Sequence, residues 1–164
     1  MDSIRLAQPS DCGAVIACVG QAYTPYVARI GREPAPMNAD YADLIARATV
    51  YVVAESTGWV RGVLVLKRQD DTLWIENVAV HPDHQRHGLG RMLLQFAEQH
   101  ARAAGLSELR LYTNELMVEN IALYRRLGYA EVERRDDGGF RRVFMRKAVV
   151  QPTVEIREPR AGHG

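Results

Sequence analysis

The sequence lacks the features that mark secreted, metal-binding and membrane-spanning proteins. Its 164 residues include only two cysteines, Cys12 and Cys18, which fall in one apolar stretch and resemble neither a disulfide framework nor a metal-ligand set. No run of about 18 uninterrupted apolar residues occurs, and no long apolar run follows the acidic N-terminal segment. We therefore expect a cytoplasmic protein that is neither exported nor inserted in a membrane.

The chain also lacks an excess of charge of either sign. Lys and Arg number 21 against 20 Asp and Glu, so no global positive field exists to hold a nucleic acid, and any phosphate must be bound locally. With 47% hydrophobic residues, the chain is long enough for one core. We expect a single domain over residues 1–147 and a disordered tail over residues 148–164, which is polar from residue 151 onward.

Hydrophobic periodicity predicts both helices and strands. The fold class is therefore α/β in the broad sense, and more narrowly α+β. A short strand at 4–6 precedes a helix from about residue 11 towards residue 23, a loop over 23–37, and a second helix that Asn38 caps. Strands are predicted at 50–55, 60–66, 73–80, 109–113, 130–134 and 140–147, with helices at 89–104 and 119–127 and a turn at 136–139. The order strand, long helix, strand around residue 89 predicts a parallel crossover inside a mixed sheet.

Two glycines stand where the third of these helices begins. Gly88 and Gly90 follow the strand at 73–80, and glycine lets a phosphate approach the unpaired N–H groups at the positive end of a helix. Alone, this pattern also fits tight packing or a plain turn. A Rossmann site is excluded because Leu93 stands where a third glycine belongs, and a P-loop is excluded because no Gly-Lys-Ser/Thr is present.

The two segments around this helix resemble those of the GNAT acetyltransferases. Residues 85–90, Gln-Arg-His-Gly-Leu-Gly, match the family's Q/R-x-x-G-x-G/A signature, and they follow a strand as in the family. Residues 120–129 resemble a second signature, with Asn120, Ala122 and Tyr124 ahead of a glycine and an aromatic residue. The resemblance covers about residues 1–147. It implies the GNAT fold, a mixed and mostly antiparallel sheet of six to seven strands flanked by about four helices.

The resemblance also implies an activity and a cofactor site. The activity is transfer of an acetyl group from acetyl-CoA to a primary amine, directly in a ternary complex and without a metal. The pyrophosphate of CoA would rest on the loop, and the pantetheine arm would pair like an extra strand with backbone at Val78 and Val80. The implied cofactor residues are Val78, Ala79, Val80, Gln85, Arg86, His87, Gly88, Leu89, Gly90, Arg91, Asn120 and Tyr124.

Tyr124 and Glu76 are the candidate catalytic residues. Asn120 and Tyr124 are one helical turn apart, and the Tyr124 phenol is a suitable proton donor to the thiolate that leaves; the alternative is a tyrosine packed on the sheet. An alkyl ammonium has a pKa of about 10.4 and must lose a proton before attack. Glu76, a costly acid in a central strand, is the candidate base, with a salt-bridged glutamate or a water chain as alternatives. Asn77 is predicted to face the opposite side and to make structural hydrogen bonds.

The acceptor is the part of the function that the sequence leaves open. Tyr26, Arg29 and Arg32 are candidate acceptor residues, and the arginines suit a carboxylate on the substrate, although surface arginines explain them as well. A homodimer also stays open. A non-catalytic acyl-CoA-binding module would keep the two glycines but need neither catalytic side chain. His81, His84 and His87 are interpreted as solvated loop residues, because their spacing fixes no metal geometry.

Overall fold

The structure is a computed structural model, and it describes residues 3–85 and 87–150. Within these residues, seven strands form one sheet and four α-helices pack against it. The strands are β1 (Ile4–Leu6), β2 (Val50–Ala54), β3 (Val60–Gln69), β4 (Thr72–Val80), β5 (Glu108–Asn114), β6 (Ala130–Asp137) and β7 (Phe140–Ala148). The helices are α1 (Cys12–Ile30), α2 (Tyr41–Ala46), α3 (Leu89–Ala103) and α4 (Val118–Arg126). None of these helices combines the length and apolar character needed to cross a membrane.

The sheet is mixed and mostly antiparallel. Its strands lie in the order β1-β2-β3-β4-β5-β7-β6, and β4 and β5 are the parallel pair. Helix α3 connects these two strands, which is the crossover that the change of hydrophobic period predicts. The predicted fold class, with its six to seven strands and about four helices, is therefore confirmed.

The two faces of the sheet bury separate apolar cores. On one face, α3 and α4 contribute Leu93, Ala97 and Ile121 to a core that includes Leu111 of β5. On the other face, Val15 and Val19 of α1 and Ile45 of α2 pack against Val63 of β3. Because both faces of the central strands are covered, the sheet is a rigid support for the loops and helix ends at its edge.

Strand β4 contains a bulge at Glu76 and parts from β5 beyond it. In the pairing with β3, Val65 lies opposite Asn77 and Leu66 opposite Ile75, so Glu76 is the extra residue. The pairing with β5 runs from Thr72 to Ile75. Residues 77–80 therefore stay paired with β3 but have no partner in β5, which is the gap that the predicted cofactor binding requires.

Helix α1 is longer than predicted, and α2 has a different cap. The prediction of a loop over residues 23–37 is wrong for its first part, because α1 continues through Pro25 to Ile30 and ends at Gly31, whose φ is 89°. A proline inside a helix costs about 3 kcal/mol. Packing of Tyr26 and Ile30, which follow the proline, against the core offsets that cost. Asn38 closes a short 3-10 turn, and Asp40 is the residue that caps α2.

The C-terminal hairpin forms as the glycine pair predicts. Gly138 and Gly139 have φ values of 59° and 81° and join Asp137 to Phe140 in a two-residue turn, so β6 extends beyond the predicted residue 134. Strand β7 ends at Ala148, and the following Val149 is buried and donates its N–H to the Ser107 carbonyl. Residues 151–164 of the predicted tail lie outside the described residues.

Candidate active site

The start of α3 forms one end of a deep cleft. Gly88 precedes the helix with a φ of 78°, a conformation that favours glycine. A Cβ at Gly90 would lie 3.7 Å from Val80 Cγ2 and 4.0 Å from Leu123 Cδ2, so the glycine keeps this wall of the cleft free of side-chain atoms. The first N–H groups of α3 lack intrahelical partners, and the helix dipole is positive here. This end of the cleft therefore suits a phosphate group.

Most of the predicted cofactor residues come together along this cleft. Those that line it are Val78, Ala79, Val80, Gln85, Gly88, Leu89, Gly90, Arg91, Asn120 and Tyr124. The Gln85 side chain donates from Nε2 to the Val80 carbonyl at 3.1 Å. This bond ties the loop to the free half of β4, the residues after Ile75 that have no partner in β5. His87 is exposed and is not one of the lining residues, and Arg86 lies outside the described residues.

The cleft opens into a second pocket at the point where β4 and β5 part. The two cavities share five lining residues: Tyr23, Val78, Met117, Asn120 and Tyr124. We call this set the junction. The second pocket continues between the 3-10 segment around Pro36, the end of β5, and Phe140 of the hairpin. Two molecules, one held in each cavity, would thus meet beside Tyr124.

Tyr124 is buried at the junction in a largely apolar setting. Its side chain is 8% exposed and packs edge-on to Tyr129, with ring centroids 6.0 Å apart. Burial raises the pKa of Tyr124 to about 12, because the charged phenolate would be poorly solvated there. The phenol consequently stays protonated at neutral pH. It can act as a hydrogen-bond or proton donor to a group that develops negative charge.

Glu76 and Asn77 both face the α1 and α2 side of the sheet. Both residues line the second pocket, and both line a neighbouring groove with Tyr41 and Leu44. The prediction that they face opposite sides is wrong, because the bulge at Glu76 interrupts the alternation of the strand. Asn77 is 6% exposed and hydrogen-bonds to Tyr23 and Tyr41, as predicted for a structural residue. Glu76 is exposed to the pocket.

The three candidate acceptor residues lie at different places along α1 and its C-terminal end. Tyr26 lines the cofactor cleft. Arg29 pairs with Glu119 of α4 at 2.8 Å and lies over the Tyr26 ring. Arg32 donates to the Gly138 carbonyl at 2.9 Å and lies 3.5 Å from the centroid of the Phe140 ring. Neither arginine is among the lining residues of the second pocket.

Several pocket residues were given no individual role by the reasoning from sequence, although two of them, Tyr23 and Arg142, fall in the segments 23–37 and 134–142 from which acceptor specificity is expected. Arg142 and Tyr112 line the second pocket, where the guanidinium lies 4.4 Å from the Tyr112 ring centroid and pairs with Asp137 at 2.7 Å. Tyr112 lies where β5 has parted from β4, and Arg142 lies beside it on β7, a relationship that becomes visible only once the strand order is known. Tyr23 was missed because α1 was predicted to end there, although Tyr23 and Tyr26 have the helical spacing of three.

The histidines of the loop differ in their surroundings. His81 is 6% exposed, hydrogen-bonds to the Gln21 side chain through Nε2, and accepts from the Asp83 N–H at 3.2 Å. The interpretation as a solvated residue is therefore wrong for His81, because the end of β4 carries it under α1. In residues 3–85 and 87–150, no group of three or more His, Cys, Asp or Glu side chains is arranged to hold a metal ion.

Comparison with known proteins identifies the family. The model of the acetyltransferase (GNAT) family matches residues 21–129. N-acetyltransferase family 8 member 3 of Rattus norvegicus is 30% identical over 104 residues, which are 57% of this chain and 46% of the relative. The [ribosomal protein bS18]-alanine N-acetyltransferase of Salmonella typhimurium is 41% identical over 61 residues, which are 37% of this chain and 41% of the relative. The chain spans about half the length of these curated relatives or less.

Solved structures share the fold across nearly the whole chain. The paiA N-acetyltransferase from Thermoplasma acidophilum, in complex with coenzyme A, has a TM-score of 0.78 at 18% identity and covers 90% of this chain and 99% of its own. The ribosomal-protein-S18-alanine N-acetyltransferase from Escherichia coli has a TM-score of 0.74 at 22% identity, with 95% and 98% covered. The chain belongs to the GNAT family, and the predicted resemblance is confirmed.

Proposed function

We propose that this protein is an N-acetyltransferase that moves an acetyl group from acetyl-CoA to a primary amine in a ternary complex. The observation that carries the proposal is the junction, where the cleft that ends on α3 and the second pocket share Tyr23, Val78 and Tyr124. Direct transfer requires both reactants to be in contact without an intermediate carrier. Two cavities that meet at a phenol provide this arrangement.

The cleft offers groups that suit the phosphates and the pantetheine arm of CoA. Its α3 end offers unpaired N–H groups and the backbone at Gly88 and Gly90 to the pyrophosphate, and Arg91 and Arg126 line the same cavity. The free half of β4 offers strand backbone to the amides of the pantetheine arm, in the manner of an added strand. Bound in this way, the thioester would lie near Val78, at the junction.

Tyr124 is proposed to assist departure of the thiolate. The amine nitrogen attacks the thioester carbonyl, and the tetrahedral intermediate collapses with cleavage of the C–S bond. A CoA thiol has a pKa of about 8.5, so its thiolate leaves more readily when a donor is within reach. The protonated Tyr124 phenol, which lines both cavities, is that donor.

Glu76 is proposed to receive the proton that the attacking amine loses, directly or through water. Its carboxylate is the exposed acid of the second pocket, and the bulge is what carries it there. The other charged lining residue, Arg142, is already paired with Asp137 at 2.7 Å. The pocket therefore keeps a negative charge that attracts an ammonium and places a proton acceptor beside it.

The acceptor site that we propose is the second pocket rather than the C-terminal end of α1. Its walls include Pro34, Pro36, Tyr112 and Phe140, which suit an apolar body attached to the amine. Arg29 and Arg32 are proposed to hold α1 against α4 and the hairpin, since each is engaged there. Because both guanidinium groups have these partners, the two arginines are not proposed to bind a carboxylate on the substrate.

Thiol release from acetyl-CoA across a panel of primary amines tests the function. We expect turnover that depends on the amine, an acetylated amine in mass spectra, and saturation by both reactants with intersecting double-reciprocal lines. Tight CoA binding in calorimetry without turnover for any amine would contradict catalysis and favour a binding module. Parallel lines with a covalent acetyl-enzyme would contradict direct transfer.

A further inference from the structure

A buried chain of hydrogen bonds leads from the wall of the acceptor pocket to the junction. Tyr41 hydrogen-bonds to the Pro36 carbonyl at 2.5 Å, Asn77 Nδ2 to the Tyr41 oxygen at 3.1 Å, and the Tyr23 hydroxyl to Asn77 Oδ1 at 2.7 Å. Tyr23, Tyr41 and Asn77 are each at most 9% exposed. This chain of hydrogen bonds connects α1, α2 and β4 beside the two cavities.

The direction of every bond in this chain is fixed from one end. A backbone carbonyl only accepts, so the Tyr41 hydroxyl must donate to Pro36. The Tyr41 oxygen can then accept from Asn77, which requires the amide NH₂ on that side. The amide oxygen consequently points to Tyr23, and an amide oxygen only accepts. The Tyr23 proton is therefore committed to Asn77.

A free acceptor remains at the end of the chain. The Tyr23 oxygen has lone pairs that the bond to Asn77 does not use, and Tyr23 lines both the cofactor cleft and the acceptor pocket. Its hydroxyl lies 3.5 Å from the Val78 carbonyl, next to the backbone where the thioester is proposed to lie. Because Tyr23 lines both cavities, this oxygen can accept an N–H or O–H from a molecule bound there.

We propose that the Tyr23 oxygen accepts a hydrogen bond from an N–H of the amine substrate and thereby orients the nitrogen towards the thioester. This inference rests on the proposed acetyltransferase function. Tyr23 is a binding residue in this account, and Asn77 and Tyr41 are positioning residues that act through it. An amine nitrogen held by one N–H has its lone pair directed elsewhere, which is the geometry that attack requires.

The raised pKa values of the two phenols preserve the direction of these hydrogen bonds. Burial raises the pKa of Tyr23 well above its usual value and that of Tyr41 to about 12. Both phenols therefore keep their protons across the pH range in which an amine becomes deprotonated. Tyr23 does not act as a base here, and its oxygen offers only a hydrogen bond.

The substitution Tyr23→Phe tests this assignment, because it removes the oxygen and keeps the ring. With the best amine of the panel, we expect the KM for the amine to rise about tenfold, since one hydrogen bond is lost, with the Kd for acetyl-CoA within about twofold of wild type. Tyr51→Phe is the matched control, because Tyr51 packs on Phe96 and His100 away from both cavities. It should leave both constants unchanged.

A second variant tests the same chain of hydrogen bonds from its far end. Tyr41→Phe leaves the junction residues in place, but it removes the bonds to the Pro36 carbonyl and to Asn77 and frees the Asn77 amide to turn, so we expect a rise of about threefold in the amine KM. It also keeps the test decisive if Tyr23→Phe does not fold. An unchanged amine KM in either folded variant would overturn this inference about Tyr23 but would leave the proposed acetyltransferase function intact. Absence of turnover with every amine in the wild type would instead overturn the proposed function on which it rests.

Discussion

Glu76 and Asn77 lie on the same side of the sheet, although they are consecutive residues of one strand. The bulge places Asn77 opposite Val65 and leaves Glu76 without a partner in β3. Asn77 is thereby buried under α1, while the Glu76 carboxylate stays exposed in the proposed acceptor pocket. One irregularity of the strand thus sets both the position of the proposed base and the hydrogen-bond chain behind the junction.

The first prediction concerns Glu76 as the proton acceptor. Glu76→Gln keeps the size of the side chain and removes its basicity, so we expect turnover to fall by about 10- to 10³-fold and the pH optimum to move upward. The optimum moves because the amine must then lose its proton to solvent before it binds. Steady-state kinetics across pH check this, with acetyl-CoA affinity by calorimetry as the control. A full rate with an unchanged pH profile would assign the proton to water alone.

The second prediction concerns the glycine at the phosphate end of the cleft. Gly90→Asp should fold, because a Cβ there makes only ordinary contacts of 3.7 Å and 4.0 Å. Its carboxylate would occupy the proposed phosphate position and repel it, and we expect acetyl-CoA affinity to fall by at least about tenfold. Gly13→Asp on α1 is the matched control, since its Cβ would enter open space. Calorimetry that finds equal affinity in both folded variants would refute the cofactor site.

The third prediction concerns an ionic cluster between strands. The Glu108 carboxylate on β5 hydrogen-bonds to Arg146 of β7, to Thr72 at 2.8 Å and to Arg110 at 2.9 Å. The Arg146 guanidinium is the main cause that lowers the pKa of Glu108 from 4.5 to about 2, and Thr72 and Arg110 add to the effect. A lowered pKa means that the ionised carboxylate stabilises the fold above about pH 4.5 and stops doing so as the pH falls towards 2.

Glu108→Gln should therefore reduce the free energy of unfolding at pH 7 by about 1 kcal/mol, which allows for solvent screening of a partly exposed cluster. The difference from wild type should shrink between about pH 4.5 and pH 2. Urea unfolding at a series of pH values measures it. A difference that stays constant down to pH 2 would mean that the carboxylate charge contributes nothing and that only shape is lost.

The fold could be predicted from sequence where a repeating pattern dominates local structure. The helical spacing of Leu89, Leu93 and Ala97 and the two glycines of the hairpin each have one favoured structure, so α3 and the β6–β7 turn lie where they were expected. The position of Gly90 at the start of α3 followed from the same pattern. These features depend on neighbours within a few residues.

The parts that were missed depend on tertiary packing. Pro25 predicts a helix end, but packing of Tyr26 and Ile30 against the core outweighs the lost hydrogen bond. The bulge was detectable in principle, because the apolar positions Leu73, Ile75, Val78 and Val80 skip two residues after Ile75. The partners of Asn77 were not, since Tyr23 and Tyr41 are 54 and 36 residues away along the chain.

The last prediction concerns Tyr124, which stands at the junction of both cavities. Phenylalanine keeps the ring that packs on Tyr129 and removes the hydroxyl. If the hydroxyl donates to the departing sulfur, its contribution exists mainly in the transition state. Tyr124→Phe should then lower kcat by about 10²-fold, or roughly 3 kcal/mol, with the KM for acetyl-CoA near wild type.

The dependence of this defect on the leaving group is the most direct test of the account. A donor with a more acidic thiol needs less assistance, so the ratio of wild-type kcat to Tyr124→Phe kcat should shrink as the thiol pKa falls across a series of acyl thioesters. The measurement is kcat for each donor with one fixed amine. The account predicts a ratio of about 10² for acetyl-CoA that declines steadily along the series. A ratio near one for acetyl-CoA, or one that does not change with thiol pKa, would contradict it.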